Sequence, residues 1–90
     1  MGTALVKIKI MPESPETDLE AIKNKAYEIV EENKGTNAMF DEEPIAFGLK
    51  AVIVSFDIDE SNALEPIEEA FKKIEKVNSA EVIDMRRAFG

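Results

Sequence analysis

The amino-acid sequence predicts an α+β domain, a four-stranded antiparallel sheet with both helices packed on one face. Three observations lead there. Apolar and polar residues alternate near 6–10, 47–58 and 80–86, the period of half-buried strands. Two other stretches, near 19–30 and 64–74, carry apolar residues at helical spacing. With a weaker strand in the middle, the order is strand, helix, strand, strand, helix, strand, and right-handed crossovers leave few other ways to close it.

Taken in order, Val6 and Lys7-Ile8-Lys9-Ile10 form the first strand, and Pro12 and Pro15 end it. Thr17 and Glu20 have the spacing of a capping box for the first helix. Leu19, Ile22, Ala26, Ile29 and Val30 give that helix one apolar stripe. Lys34-Gly35 closes it, with glycine expected in the left-handed cap position. Asn37 to Glu43 is a weak strand whose only large apolar residues are Met39 and Phe40, and Pro44 interrupts it. The strongest strand runs from about Phe47 to Ile58, with Val52, Val54, Phe56 and Ile58 alternating with Ile53, Ser55 and Asp57. Asp59 to Asn62 reads as a polar loop and a helix start. Leu64, Ile67, Ala70, Phe71 and Ile74 form the second helical stripe, with Pro66 in its first turn, where proline is tolerated. A last strand runs from about Ala80 to Arg86, with Val82 competing against Ile83 and Met85 for its inward face. Each half of the 90 residues is thus a β-α-β unit. The whole is the split-βαβ, or ferredoxin-like, arrangement.

Ninety residues suit one domain, spanning 1–90, and a domain of that size buries roughly 60–68% of its unfolded surface. With 44% hydrophobic residues the chain has material for a core. It contains no cysteine and no histidine, which removes thiol nucleophiles, disulfides, the commonest general base and the commonest zinc ligand. The first eleven residues do not read as a signal peptide, and no apolar run approaches the ~20 residues of a membrane span. The expectation is a soluble, cytoplasmic protein. Its net charge of −8 would repel a phosphate backbone, so direct nucleic-acid binding is disfavoured. The acidity either attracts a basic protein partner or serves solubility alone.

No constellation for catalysis is legible. Asp41-Glu42-Glu43 and Glu31-Glu32 read as solvated charge, Ser14 and Ser55 lack a base, and four glycines make no phosphate loop. The expectation is therefore no enzyme, no metal and no cofactor. Two segments ask for another explanation. In Pro44-Ile45-Ala46-Phe47-Gly48-Leu49-Lys50, Phe47 is either a core plug or an anchor for a partner's pocket. In Asp84-Met85-Arg86-Arg87-Ala88-Phe89-Gly90, two arginines stand on a terminal segment of an acidic chain. They either reach outward or pair with nearby carboxylates.

These two segments, with Lys7-Ile8-Lys9-Ile10-Met11-Pro12, resemble the archaeal translation elongation factor 1-beta family over essentially the whole chain. A similar glycine-phenylalanine-glycine stretch occurs in the exchange domain of the eukaryotic members. The resemblance implies a ferredoxin-like fold and guanine nucleotide exchange on a GTP-binding partner, elongation factor 1-alpha. It also implies a partner-contacting set of Phe47, Gly48, Lys50, Met85, Arg86 and Arg87. Phe47 matches the family's contact aromatic. Arg87 falls on a lysine that in the eukaryotic members reaches toward the partner's magnesium site, with Arg86 one residue away. Arginine in place of lysine is a departure, because a planar guanidinium is bulkier than an ammonium. An exchange factor of this kind is expected to be a monomer when free. The same scaffold also carries small-metabolite-binding regulatory modules, which are expected to dimerise, and fold alone does not separate the two.

Overall fold

In the computed structural model, which describes residues 2–88, Thr3–Pro12 form strand β1, and its side chains Ala4, Val6, Ile8 and Ile10 are all buried. The alternation thus acts as a pleated strand requires, with one face in the core and one outside. Helix α1 (Leu19–Glu32) buries Ile22, Ala26 and Val30. Strand β2 (Thr36–Pro44) leads through a tight loop into β3 (Lys50–Asp59), where Val52, Val54, Phe56 and Ile58 are buried. Helix α2 (Glu65–Lys72) contributes Ile67 and Phe71, with Pro66 in its first turn as the sequence predicts. Strand β4 (Val77–Ala88) completes an antiparallel sheet of order β2-β3-β1-β4. This is the ferredoxin-like βαββαβ fold. Among the described residues no helix is long and apolar enough to cross a membrane. Met1, Phe89 and Gly90 lie outside the described residues, so the end of the terminal segment singled out above does too.

Several local expectations are corrected. The cap of α1 is Asp18, not Thr17: the Asp18 carboxylate accepts from the backbone N–H of Glu20 and Ala21, while Thr17 Oγ1 accepts from Ser14 N. Aspartate one residue later does the same work and adds a negative charge at the helix's positive end. At the other end Lys34, with φ 67°, occupies the left-handed position rather than Gly35. Gly35 N donates to Val30 O (2.8 Å) and Lys34 N to Glu31 O (3.1 Å), the pair of bonds of a Schellman motif. Gly35 is needed for space instead. A Cβ there would lie 2.5 Å from Val30 Cγ1 and 3.2 Å from Phe56 Cδ2. The polar loop before α2 supplies no cap: Asp59 Oδ1 accepts from Ser61 N and Oγ, and Leu64, at the cap position, makes no side-chain bond.

The last strand is longer than predicted, and a β-bulge settles its inward face. Lys7 pairs with Asp84 and Ile8 with Val82, leaving Ile83 as the extra residue. Ala80 and Val82 therefore turn toward the helices before the bulge, and Met85 and Arg87 after it, opposite Val6 and Ala4. Val82 joins the core, while Ile83 and Met85 stay about half exposed.

Edge strand β2 is held down partly by charge. Glu42 pairs with Val52 on the helix side, and its carboxylate accepts from Lys23 Nζ of α1 at 2.8 Å, with Glu20 accepting from the same ammonium at 3.1 Å. The acidic run 41–43 is thereby split, Asp41 and Glu43 lying on the open face opposite Ile53 and Ala51. The bond from Lys23 holds the Glu42 carboxyl below its usual range, and the bonds to Glu42 and then Glu20 raise Lys23 above its own.

Gly35→Ala overfills the space between Val30 and Phe56 and should lower stability by about 1–3 kcal/mol in urea unfolding. Lys34→Gly removes a side chain from a left-handed position and should be neutral or stabilising, by up to ~1 kcal/mol. Because the Glu42 value is depressed in the folded state, its contribution is present above the unfolded carboxylate range and lost as pH falls through the folded value. That of Lys23 is present below its ordinary value and lost only as pH rises through the raised one. Lys23→Met should therefore flatten the acid limb of stability against pH, measured as the urea midpoint from pH 7 down to pH 3.

Candidate functional site

The hairpin between β2 and β3 closes on the pair Pro44 and Lys50. Inside it Ile45 N donates to Leu49 O at 2.7 Å and Leu49 N to Ala46 O at 3.3 Å, so the loop Ile45–Leu49 is tied at its base. One turn of 3-10 helix, Ala46–Gly48, forms the tip, and two successive residues take left-handed backbone, Phe47 (φ 63°, ψ 30°) and Gly48 (φ 79°). Glycine does so freely. For an L side chain the conformation costs roughly 1–2 kcal/mol, and for a bulky one it is rare. A Cβ on Gly48 would meet Pro15 of the β1–α1 loop only at ordinary contact distance, 3.8 Å, so the glycine is there for its φ and not for room.

The strained tip displays its aromatic ring to solvent. Phe47 is 93% exposed, which rules out the core-plug reading. It also lies before β3, not at the start of that strand as the alternation suggested, because the chain must turn between Pro44 and Lys50 before pairing resumes. Gly48 and Lys50 are exposed beside it. The bulky side chain is thus held in disfavoured backbone with no burial to compensate.

The arginines lie at the other end of the sheet. Arg87 pairs with Ala4, which pairs with Ile58, near the end of β3 farthest from Lys50. At ~3.4 Å per residue, Lys50 and Ile58 are about 27 Å apart. The six residues singled out in the sequence therefore form two patches, Phe47, Gly48 and Lys50 at one end and Met85, Arg86 and Arg87 at the other. Within the second patch the two arginines diverge. Arg86 lies on the open face with Asp84, donating from Nε to Asp84 Oδ2 at 3.1 Å. Arg87 lies on the helix side with Met85, its Nε 2.9 Å from Glu60 Oε2. Glu60 was not singled out in the sequence. One acidic residue in a polar loop carries no signal there, and only the fold brings it to the end of β4.

Ala4, Glu60, Ser61, Met85, Arg86 and Arg87 surround a hollow of about 480 Å³, so both arginines border it although they leave β4 on opposite faces. Nearby, the Asp59 carboxyl is held below its usual range by the bond from Ser61 N and then by the Ser61 hydroxyl. Between the helices another hollow, of about 890 Å³, carries Lys25, Lys73 and Lys76 beside Glu16, Asp18, Glu28 and Glu75, a mixture of both signs rather than a lining selective for one. Among the described residues no three acidic side chains converge as metal ligands would. The arrangement offers contact and charge at two ends.

Comparison with known proteins fits this geometry. The EF-1 guanine nucleotide exchange domain family matches residues 5–88, a span that includes both patches. The chain is similar to elongation factor 1-beta of Methanosarcina barkeri, with 46% identity over 88 residues, 97% of this chain and 99% of the relative. The protein of the same name from Methanothermobacter thermautotrophicus is 44% identical over 88 residues, covering 97% and 98% of the two chains. That of Methanococcus maripaludis strain C6 is 42% identical over 86 residues, covering 94% and 97%. With a family match over residues 5–88 and relatives 42–46% identical over nearly the full length, the chain belongs to the EF-1 guanine nucleotide exchange domain family.

Proposed function

We propose that this chain is a cytoplasmic guanine nucleotide exchange factor that binds elongation factor 1-alpha and speeds its loss of GDP, so that GTP can enter. The observation that carries the reading is the exposed, strained Phe47 at one end of a sheet whose other end carries two arginines. Such a tool needs no nucleophile. It needs only to bind the nucleotide-free partner better than the nucleotide-bound one. By linkage, whatever factor it takes from the partner's affinity for GDP, GDP takes from the partner's affinity for it.

The two patches divide the work. Phe47 supplies apolar binding energy, about 1.5–3 kcal/mol if the ring is fully covered by the partner. Arg87 brings a cation toward the partner's magnesium and phosphates, where a like charge disfavours the metal. Arg86 leaves β4 on the opposite face but borders the same hollow, which makes it the alternative to Arg87. Because about 27 Å separates the ends, the partner is gripped at two distant points, and the direction of exchange comes from the excess of GTP.

Phe47→Ala should leave folding stability within ~0.5 kcal/mol, as for other exposed positions, yet weaken the complex by about tenfold or more. Arg87→Ala should instead lower the maximal rate of GDP release about tenfold, equivalent to ~1.4 kcal/mol on the barrier. The double variant should show the two losses added to within ~0.5 kcal/mol, since the sites are far apart. All three are read by timing the release of labelled GDP from elongation factor 1-alpha at rising concentrations of the chain. A normal rate with Arg87→Ala would transfer the role to Arg86. No acceleration by the unmodified chain would refute the proposal as a whole, and a metabolite-dependent dimer would replace it with a regulatory module.

A further inference from the structure

Glu60 occupies a position that the proposed chemistry does not use. Its backbone N–H donates to Gly2 O at 2.9 Å, which fixes the end of β3 against the start of β1. Its carboxylate lies directly over Gly2: a Cβ built there would be 2.8 Å from both the carboxyl carbon and Oε2. Oε2 is in turn 2.9 Å from Arg87 Nε. Gly2 thus leaves the room in which the carboxylate sits, and the carboxylate meets the arginine.

We propose that Glu60 is a positioning residue for Arg87, holding its guanidinium on the helix side of β4 before the partner arrives. The inference rests on the exchange reading above. Three features favour holding over blocking. The contact falls on Nε, and a guanidinium bound there keeps both terminal amino groups, with four N–H donors, for another acceptor. The Arg87 side chain remains 74% exposed despite the pair, so its charge is still presented. Arg86 has its own carboxylate on the other face, donating a hydrogen bond from Nε to Asp84, whereas Arg87 and Glu60 are joined as an ion pair. An arginine side chain has many rotamers, and part of that freedom is removed before docking when its guanidinium is already paired.

The experiment compares Glu60→Gln, which keeps size and loses charge, with Gly2→Ala, which displaces the carboxylate without altering it. In the free protein, 15N relaxation of the Arg87 Nε–H should show greater side-chain motion in both variants, with Arg86 unchanged as an internal reference. Unaltered Arg87 motion would overturn the proposal without any exchange assay. In GDP release from elongation factor 1-alpha, both variants should lower the maximal rate about fivefold, the factor equivalent to the ~1 kcal/mol upper value of an exposed pair, while the midpoint concentration and thermal stability stay near the parent's. In an Arg87→Ala background, Glu60→Gln should have no further effect. A loss that persists in that background, or a rate that rises when Glu60 is neutralised, would overturn the positioning role. An unmodified chain that accelerates GDP release alongside a Glu60→Gln variant of equal rate would refute this inference and leave the exchange reading standing. An inactive parent would refute the exchange reading itself.

Discussion

Burial of the inward side of β1 against the two helices holds this domain together. β1 lies between β3 and β4, so Val6, Ile8 and Ile10 sit at the middle of the apolar layer, flanked by Val52, Val54 and Phe56 and covered by Ile22, Ala26, Val30, Ile67 and Phe71. Each such side chain contributes roughly 1.5–3 kcal/mol on burial. With no disulfide available, that layer must offset the ordering of the chain. The covered face is the same for all four strands, which leaves the opposite face and both ends of the sheet outside the core.

The two exposed patches lie at the ends of this architecture. The β2–β3 hairpin loop that carries Phe47, the β1–α1 loop and the α2–β4 connection lie at one end. The β3–α2 loop, the start of β1 and the last residues of β4 gather around Arg87 at the other. Antiparallel strands fix the distance between the two surface patches. A flexible chain carrying the same residues would lose that geometry, and much of any binding energy would go into ordering it.

Departures from regular backbone fall mostly at these margins. Phe47 and Gly48 turn left-handed at the hairpin tip, Asn37 does so at the irregularity in β2, and Ile83 is the extra residue of the β4 bulge. The bulge has the larger consequence. By shifting the alternation one residue before the terminus, it moves Arg87 rather than Arg86 to the helix side, next to Glu60. Without it the two arginines would exchange faces, since side-chain direction in a strand alternates with every residue.

Local pattern was enough for the elements. The alternation of Val52 to Ile58, the stripe from Ile22 to Val30 and Pro66 at a helix start each depend on near neighbours along the chain, and each is found as read. The motif segments were equally legible, because side-chain type and order survive in the chain itself. The turns were less so. Thr17 and Asp18 are both competent caps, and Gly35 looked like a left-handed residue when its task is to clear Val30 and Phe56. Choosing between such options needs coordinates of atoms remote in sequence. By itself, then, the sequence determined the fold class, the core residues and the segments that resemble an exchange domain. Tertiary structure alone decided that Phe47 is exposed, that the two patches stand at opposite ends, and that Glu60 meets Arg87, because exposure, separation and ion pairing are properties of distances that chain order does not contain.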